Sequence, residues 1–256
     1  MKFSICSTWD KKKTLEEIIE FALSLNFDGI EIWDGHIDEY VERNGCSVKD
    51  LKKQLDEKGL ICPVIAPYFN LLKEDQIKKD ILNAEKCIYY AEALDCKIIR
   101  TFVGNKPSRE VADGEWKGAI EALRNMTAMV ENSSIDFALE THYNQPTDRV
   151  ETIFGIIERV GSSHLKVLFD GFNFFVDGLD MLEAHEKLKK HIIHYHLKNY
   201  FWADRVCKPL NKGEVDFAPL LIQMKENTYK GFASFEYFCK NPEIIIKESL
   251  DWIKSR

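Results

Sequence analysis

Short apolar runs rich in β-branched and aromatic residues alternate with amphipathic stretches from one end of the chain to the other. The runs at 3–6, 29–33, 61–66, 97–102, 135–140, 165–170, 192–197 and 232–236 predict eight strands. Between them apolar residues recur at helical spacing, as in Leu15, Ile18, Ile19 and Ala22, or Ile153, Ile156, Ile157 and Val160. That spacing gives each helix one buried stripe. Strands alternating with helices imply parallel strands joined by right-handed crossovers, and eight such units in 256 residues is the count that closes a (β/α)8 TIM barrel of the α/β class. A doubly wound open sheet competes, but no G-x-G-x-x-G follows the first strand. With no composition break or Gly/Ser/Pro-rich linker, residues 1–256 are expected to form a single domain.

In a barrel of this kind the chemistry sits at the C-terminal ends of the strands. The fifth run, FALETH at 137–142, stops abruptly at Glu140 and His142, which share one face of the strand because successive side chains alternate. Other strand ends behave alike. Glu31 and Trp33 end the second, Arg100 the fourth, Asp170 and Asn173 the sixth, His194, His196 and Lys198 the seventh, and Glu236 the eighth. Burying Glu140, Asp170, His196 and Glu236 together is costly unless something compensates their repulsion and lost hydration. A divalent cation does so, and three carboxylates with one imidazole suit Mn²⁺ or Mg²⁺ and tolerate Co²⁺ or Zn²⁺.

Bulk properties narrow the setting. At 45% hydrophobic and 30% charged the chain can bury a core, and its net charge of -7 argues against a nucleic-acid-binding surface. No stretch approaches the roughly 20 apolar residues that span a bilayer, and the start MKFSICSTWDKKK has no long apolar segment. The seven cysteines are scattered without a C-x-x-C pair, as expected of reduced thiols in a cytoplasmic protein.

The stretches LETH, LFDGFN, HYHLKNY and NKGEVDF through KGFASFEYF, with GIEIW on the second strand, resemble the sugar phosphate isomerase/epimerase group of the xylose isomerase-like barrels. The resemblance covers nearly the whole chain. It implies one metal ion, Mn²⁺ being the one expected, held by Glu140, Asp170, His196 and Glu236. Glu140 and Glu236 would also serve as acid and base, moving a proton beside the carbonyl of a small sugar, sugar phosphate or related hydroxy ketone through an enediolate. No organic cofactor is needed. Two positions depart from the group's pattern: Asn173 stands where many members have His, and Asn199 where they have Asp after H-x-K.

The remaining strand-end residues, His142, Asn173, Lys198, Arg100, Glu31 and Trp33, are expected to face substrate. For His142 a structural wall role is an equal alternative, and Glu31 and Arg100 are expected to pair across the mouth. Trp33, Tyr68 and Phe102 are read as an apolar wall, His194 as a satisfied core residue, and Lys11 to Lys13 as a solvated helix start. Tyr200, Phe201 and Trp202 suggest a lid or a contact in a homo-oligomer. Three other readings stay open: a metal-dependent dehydratase, an apurinic-site endonuclease disfavoured by acidity and missing histidines, and a barrel that has lost catalysis.

Overall fold

The structure, a computed structural model, describes residues 1–255. In chain order it forms β1 (Lys2–Cys6), α1 (Leu15–Ser24), β2 (Gly29–Glu31), α2 (Asp34–Asn44), α3 (Val48–Glu57), α4 (Glu74–Leu94), β3 (Ile98–Thr101), α5 (Asp113–Ala128), β4 (Asp136–Glu140) and α6 (Val150–Val160). There follow β5 (Leu165–Asp170), α7 (Gly171–Val176), α8 (Met181–Leu188), β6 (Ile192–Leu197), β7 (Tyr200–Phe201), β8 (Val206–Cys207), α9 (Ala218–Glu226), β9 (Phe232–Phe235) and α10 (Glu243–Lys254). Local chemistry explains the boundaries. At α1, Thr14 and Glu17 close a capping box that satisfies the first free amides, while Leu15, Ile18, Ile19 and Ala22 form the buried stripe.

Seven strands make one parallel sheet in the order β2-β1-β9-β6-β5-β4-β3. The predicted third strand, 61–66, is not a regular strand. It carries Pro63, which has no amide hydrogen to give a ladder, so only isolated bridges form. These bridges still join the sheet edges. On one side Ile61 pairs with Gly29 of β2 and Ile65 with Ile32 just beyond it, and on the other Ile65 pairs with Ile99 of β3. Ile30 N donates to Ile61 O at 2.9 Å and Arg100 N to Ile65 O at 2.8 Å, which closes the barrel. A small hairpin was not foreseen either: β7 and β8 pair antiparallel after β6.

Strand parity sorts the interior into levels. Val64, Ala138 and Leu168, packed with Ile98 and Ile193, form an apolar plug. Two residues further along the same strands come Arg100, Glu140 and Asp170, which therefore also point inward. On the other side the floor is polar and hydrogen-bonded: Ser4 Oγ meets Ser234 Oγ at 2.8 Å, and Ser234 Oγ meets His194 Nε2 at 2.8 Å. Two residues above His194 and Ser234 stand His196 and Glu236. The larger apolar core lies between strands and helices, where Phe137, Phe169 and Phe235 face outward from the sheet.

Candidate metal centre and active site

Glu140, Asp170, His196 and Glu236 converge at the C-terminal mouth, each offering a ligand atom within 4.8 Å of the others, and all four are buried. Short bonds hold the strand ends that carry them. Asp170 N donates to Thr141 Oγ1 at 2.8 Å, and that hydroxyl donates to Asp170 O at 3.1 Å, which locks β4 to β5. Asp170 also caps α7, its Oδ1 accepting from Asn173 N at 3.3 Å, which leaves Oδ2 for the mouth. Asn173 Nδ2 donates to Thr141 O at 2.9 Å.

The imidazole of His196 is oriented from behind. Its Nε2 lies 3.1 and 3.0 Å from the two oxygens of Glu31, while Nδ1 faces Glu140 at 3.6 Å, Glu236 at 3.5 Å and Asp170 at 3.9 Å. A carboxylate behind a ligating histidine fixes which nitrogen is free for the ion. Burial works against a charged His196, but Glu31, then Cys6, Glu236 and Glu140, outweigh it and raise its pKa well above the ordinary value. Burial would likewise raise Glu31; His196 and His194 hold it well below the usual carboxylate range instead.

Both oxygens of Glu140, Oδ2 of Asp170 and Nδ1 of His196 accept no hydrogen bond. Each orphaned buried acceptor costs about 1–3 kcal/mol. Glu140 Oε1 and His196 Nδ1 are left without a partner, while Glu140 Oε2 and Asp170 Oδ2 face only the cations Arg100 at 3.3 Å and Lys198 at 2.7 Å. Acceptors gathered in this way are what a divalent cation relieves, so the residues present fit such an ion. A fixed cation also reaches the cluster: Lys198 Nζ lies 2.7 Å from Asp170 Oδ2 and 2.8 Å from Glu236 Oε2. Burial would raise Glu236, but Lys198, then His196 and Arg100, hold its carboxyl well below the usual range.

Arg100 is engaged differently from the expectation. Its Nη1 bridges Glu140 at 3.3 Å and Glu236 at 3.7 Å, and Nη2 donates to Ala66 O and Pro67 O at 3.1 and 3.2 Å. The expected pair with Glu31 is replaced because Glu31 is taken by the two histidines. Of the predicted substrate residues, Glu31 therefore stands behind His196, and Trp33 at the rim as the residue preceding α2. His142 and Arg100 line a cavity of about 370 Å³ with Glu140, Glu236, Tyr68 and Phe102. A groove of about 630 Å³ between α4 and α5 is larger, but brings no comparable set of groups together.

Three positions had been passed over. Asn70 and Gln145 line the same cavity with side-chain oxygens that accept no hydrogen bond. Lys11, read as solvated, stands with its ammonium 4.7 Å from the Trp33 ring centroid and 3.9 Å from that of Tyr68. Its place in the loop after the first strand, at the mouth end, was the available signal. Asn199 proves structural: it donates to Leu210 O and Val215 O and accepts from Tyr200 N and Val215 N, anchoring the loop that follows β8. Tyr200 is buried and Phe201 is exposed on the hairpin. No helix among the described residues is long and apolar enough to cross a membrane.

Comparison with known proteins bears on the same barrel. A family model described as xylose isomerase-like TIM barrel matches residues 19–256. The chain belongs to this family. Among similar proteins, a 3-dehydroshikimate dehydratase of Bacillus anthracis is 25% identical over 276 aligned positions, which take in 100% of this chain and 98% of that protein. The crystal structure of a probable 3-DHS dehydratase from the same organism superposes with a TM-score of 0.88 at 24% identity, covering 100% of both chains. That of a 3-keto-D-glucoside 4-epimerase from E. coli gives 0.81 at 16% identity, again over 100% of both.

Proposed function

We propose that the protein is a divalent-metal-dependent enzyme that moves a proton at the carbon beside a carbonyl in a small polyhydroxylated compound, as an isomerase or epimerase. The observation that carries this reading is the convergence of buried ligand atoms on Glu140, Asp170, His196 and Glu236, with Glu140 Oε1 and His196 Nδ1 unpartnered and Glu140 and Glu236 lining the cavity. A bound divalent ion supplies Lewis acidity, which stabilises the negative charge that develops on a carbonyl oxygen as the neighbouring C–H proton leaves.

The side chains divide the remaining work. Glu140, with neither oxygen hydrogen-bonded, is the base that takes the proton, and Glu236, three staves round the barrel, is positioned to return one. Lys198 and Arg100 keep Glu236 ionised and both carboxylates in place. Asn70 and Gln145 offer free acceptors to substrate hydroxyls, which favours a polyol over an apolar ligand.

Dehydration is the second reading, favoured by the end-to-end match to a 3-dehydroshikimate dehydratase. There Glu140 removes the same proton, a hydroxyl leaves from the next carbon, and a proton from His142 at the cavity wall completes the departing water. One experiment separates the two. Manganese-loaded protein is incubated in heavy water with a panel of ketoses and with 3-dehydroshikimate and followed by NMR. Deuterium uptake with retained oxygens supports isomerisation or epimerisation; loss of water to an unsaturated product supports dehydration. Exchange that persists undiminished in Glu140→Gln would sink both.

A further inference from the structure

The cavity interior is electrostatically closed once an ion is bound. Glu31, Glu140, Asp170 and Glu236 bring four negative charges, Arg100 and Lys198 two positive ones, and a divalent ion two more, with His196 neutral as a ligand. Nothing inside is left over for a charged substrate. Lys11 at the rim is a further cation. Its ammonium has no carboxylate within ion-pair distance among the described residues, and its contacts are the faces of Trp33 and Tyr68. Lys13 differs from it, its ammonium pairing with Glu17.

Two aromatic faces hold an ammonium in place without neutralising it, and they bind it more weakly than an anion does. Tyr68 itself lines the cavity, and the Arg100 guanidinium lies 4.5 Å from its ring centroid. Lys11 is thus a prepositioned, uncompensated cation at the entrance of a neutral cavity in an acidic protein of net charge -7. We propose that the substrate of this site is anionic, a polyhydroxylated carbonyl compound bearing one carboxylate or phosphate group, and that Lys11 receives that group at the rim. The inference rests on the metal-dependent reading of the cavity and names the substrate class for it. Lys11 acts in binding and selection. The proton chemistry stays with Glu140 and Glu236.

The test is direct binding by calorimetry to manganese-loaded protein, with D-fructose as the neutral probe, shikimate as the carboxylate and D-fructose 6-phosphate as the phosphate. Wild type is compared with Lys11→Met and Lys11→Arg. At least one anionic probe should bind about tenfold or more tightly than fructose, the scale of one charge-assisted contact. Lys11→Met should erase that margin without changing fructose affinity, and Lys11→Arg should restore most of it. The arm that responds identifies carboxylate or phosphate. Equal affinities in wild type, an unchanged margin in Lys11→Met, or no binding of any probe each overturn the proposal. Failure of manganese to bind would instead strike the metal-dependent reading, and the anion margin would still be measured on metal-free protein.

Discussion

Lys198 Nζ lies 2.8 Å from Glu236 Oε2, so a buried ammonium already stands against one of the groups that would hold the ion, and it touches Asp170 as well. Two unit charges about 4 Å apart repel by about 4 kcal/mol at an effective dielectric of about 20, and a third of that is about tenfold in affinity. Lys198→Met is therefore expected to tighten manganese binding by about tenfold while lowering turnover. Titration followed by electron paramagnetic resonance checks it. Unchanged affinity would mean that the ammonium swings clear of the ion at no cost.

Glu31 acts through His196. Replacing it by Gln keeps a hydrogen-bonding side chain but removes the charge that sets the imidazole, and loss of such a partner typically weakens metal binding about 10- to 100-fold. Manganese affinity of Glu31→Gln should fall in that range. Equal affinity in both proteins would leave Glu31 a role in the barrel floor only.

The site was legible wherever a polar residue interrupted an apolar strand. Parity alone put Glu140 and Asp170 inside, above a level that is apolar and offers their carboxylates no hydrogen-bond donor. Partner choice was not legible. Glu31 and Arg100 both end inward on nearby strands, and only three-dimensional spacing shows that Glu31 meets His196 and His194 while Arg100 spans Glu140 and Glu236. The third strand misled because its apolar run outweighed Pro63, yet the proline reduced it to bridges. Lys11 was hidden by its neighbours: in a row of three lysines, nothing local distinguishes the one that meets Trp33 and Tyr68.

Closure of the barrel depends on a glycine. A Cβ on Gly29 would come within 2.3 Å of Ile61 O, a backbone atom of the segment that joins β2 to β3. Neither side can yield without parting the bridge. Gly29→Ala should destabilise the protein by about 1–3 kcal/mol, the usual range for overpacking a tight site. Chemical denaturation would measure it, and a loss below about 0.5 kcal/mol would show that the seam is slack.

His185 gives a pH signature away from the mouth. It is buried between Gln223 Oε1 at 2.7 Å and Tyr195 OH at 2.9 Å, and burial, only partly opposed by Gln223, lowers its pKa below the ordinary 6.5. The folded protein then binds this proton less readily than the unfolded chain. Stability falls as pH drops below about 6.5 and continues falling until the folded imidazole itself titrates. His36 and His194 are lowered by burial in the same direction, so the slope is a sum. Removing one contributor should flatten it. Thermal melting of metal-free His185→Gln from pH 7 to pH 5 is expected to show a smaller loss of Tm than wild type over the same interval, whatever its starting stability. Parallel slopes would mean that His185 carries its proton equally well folded and unfolded.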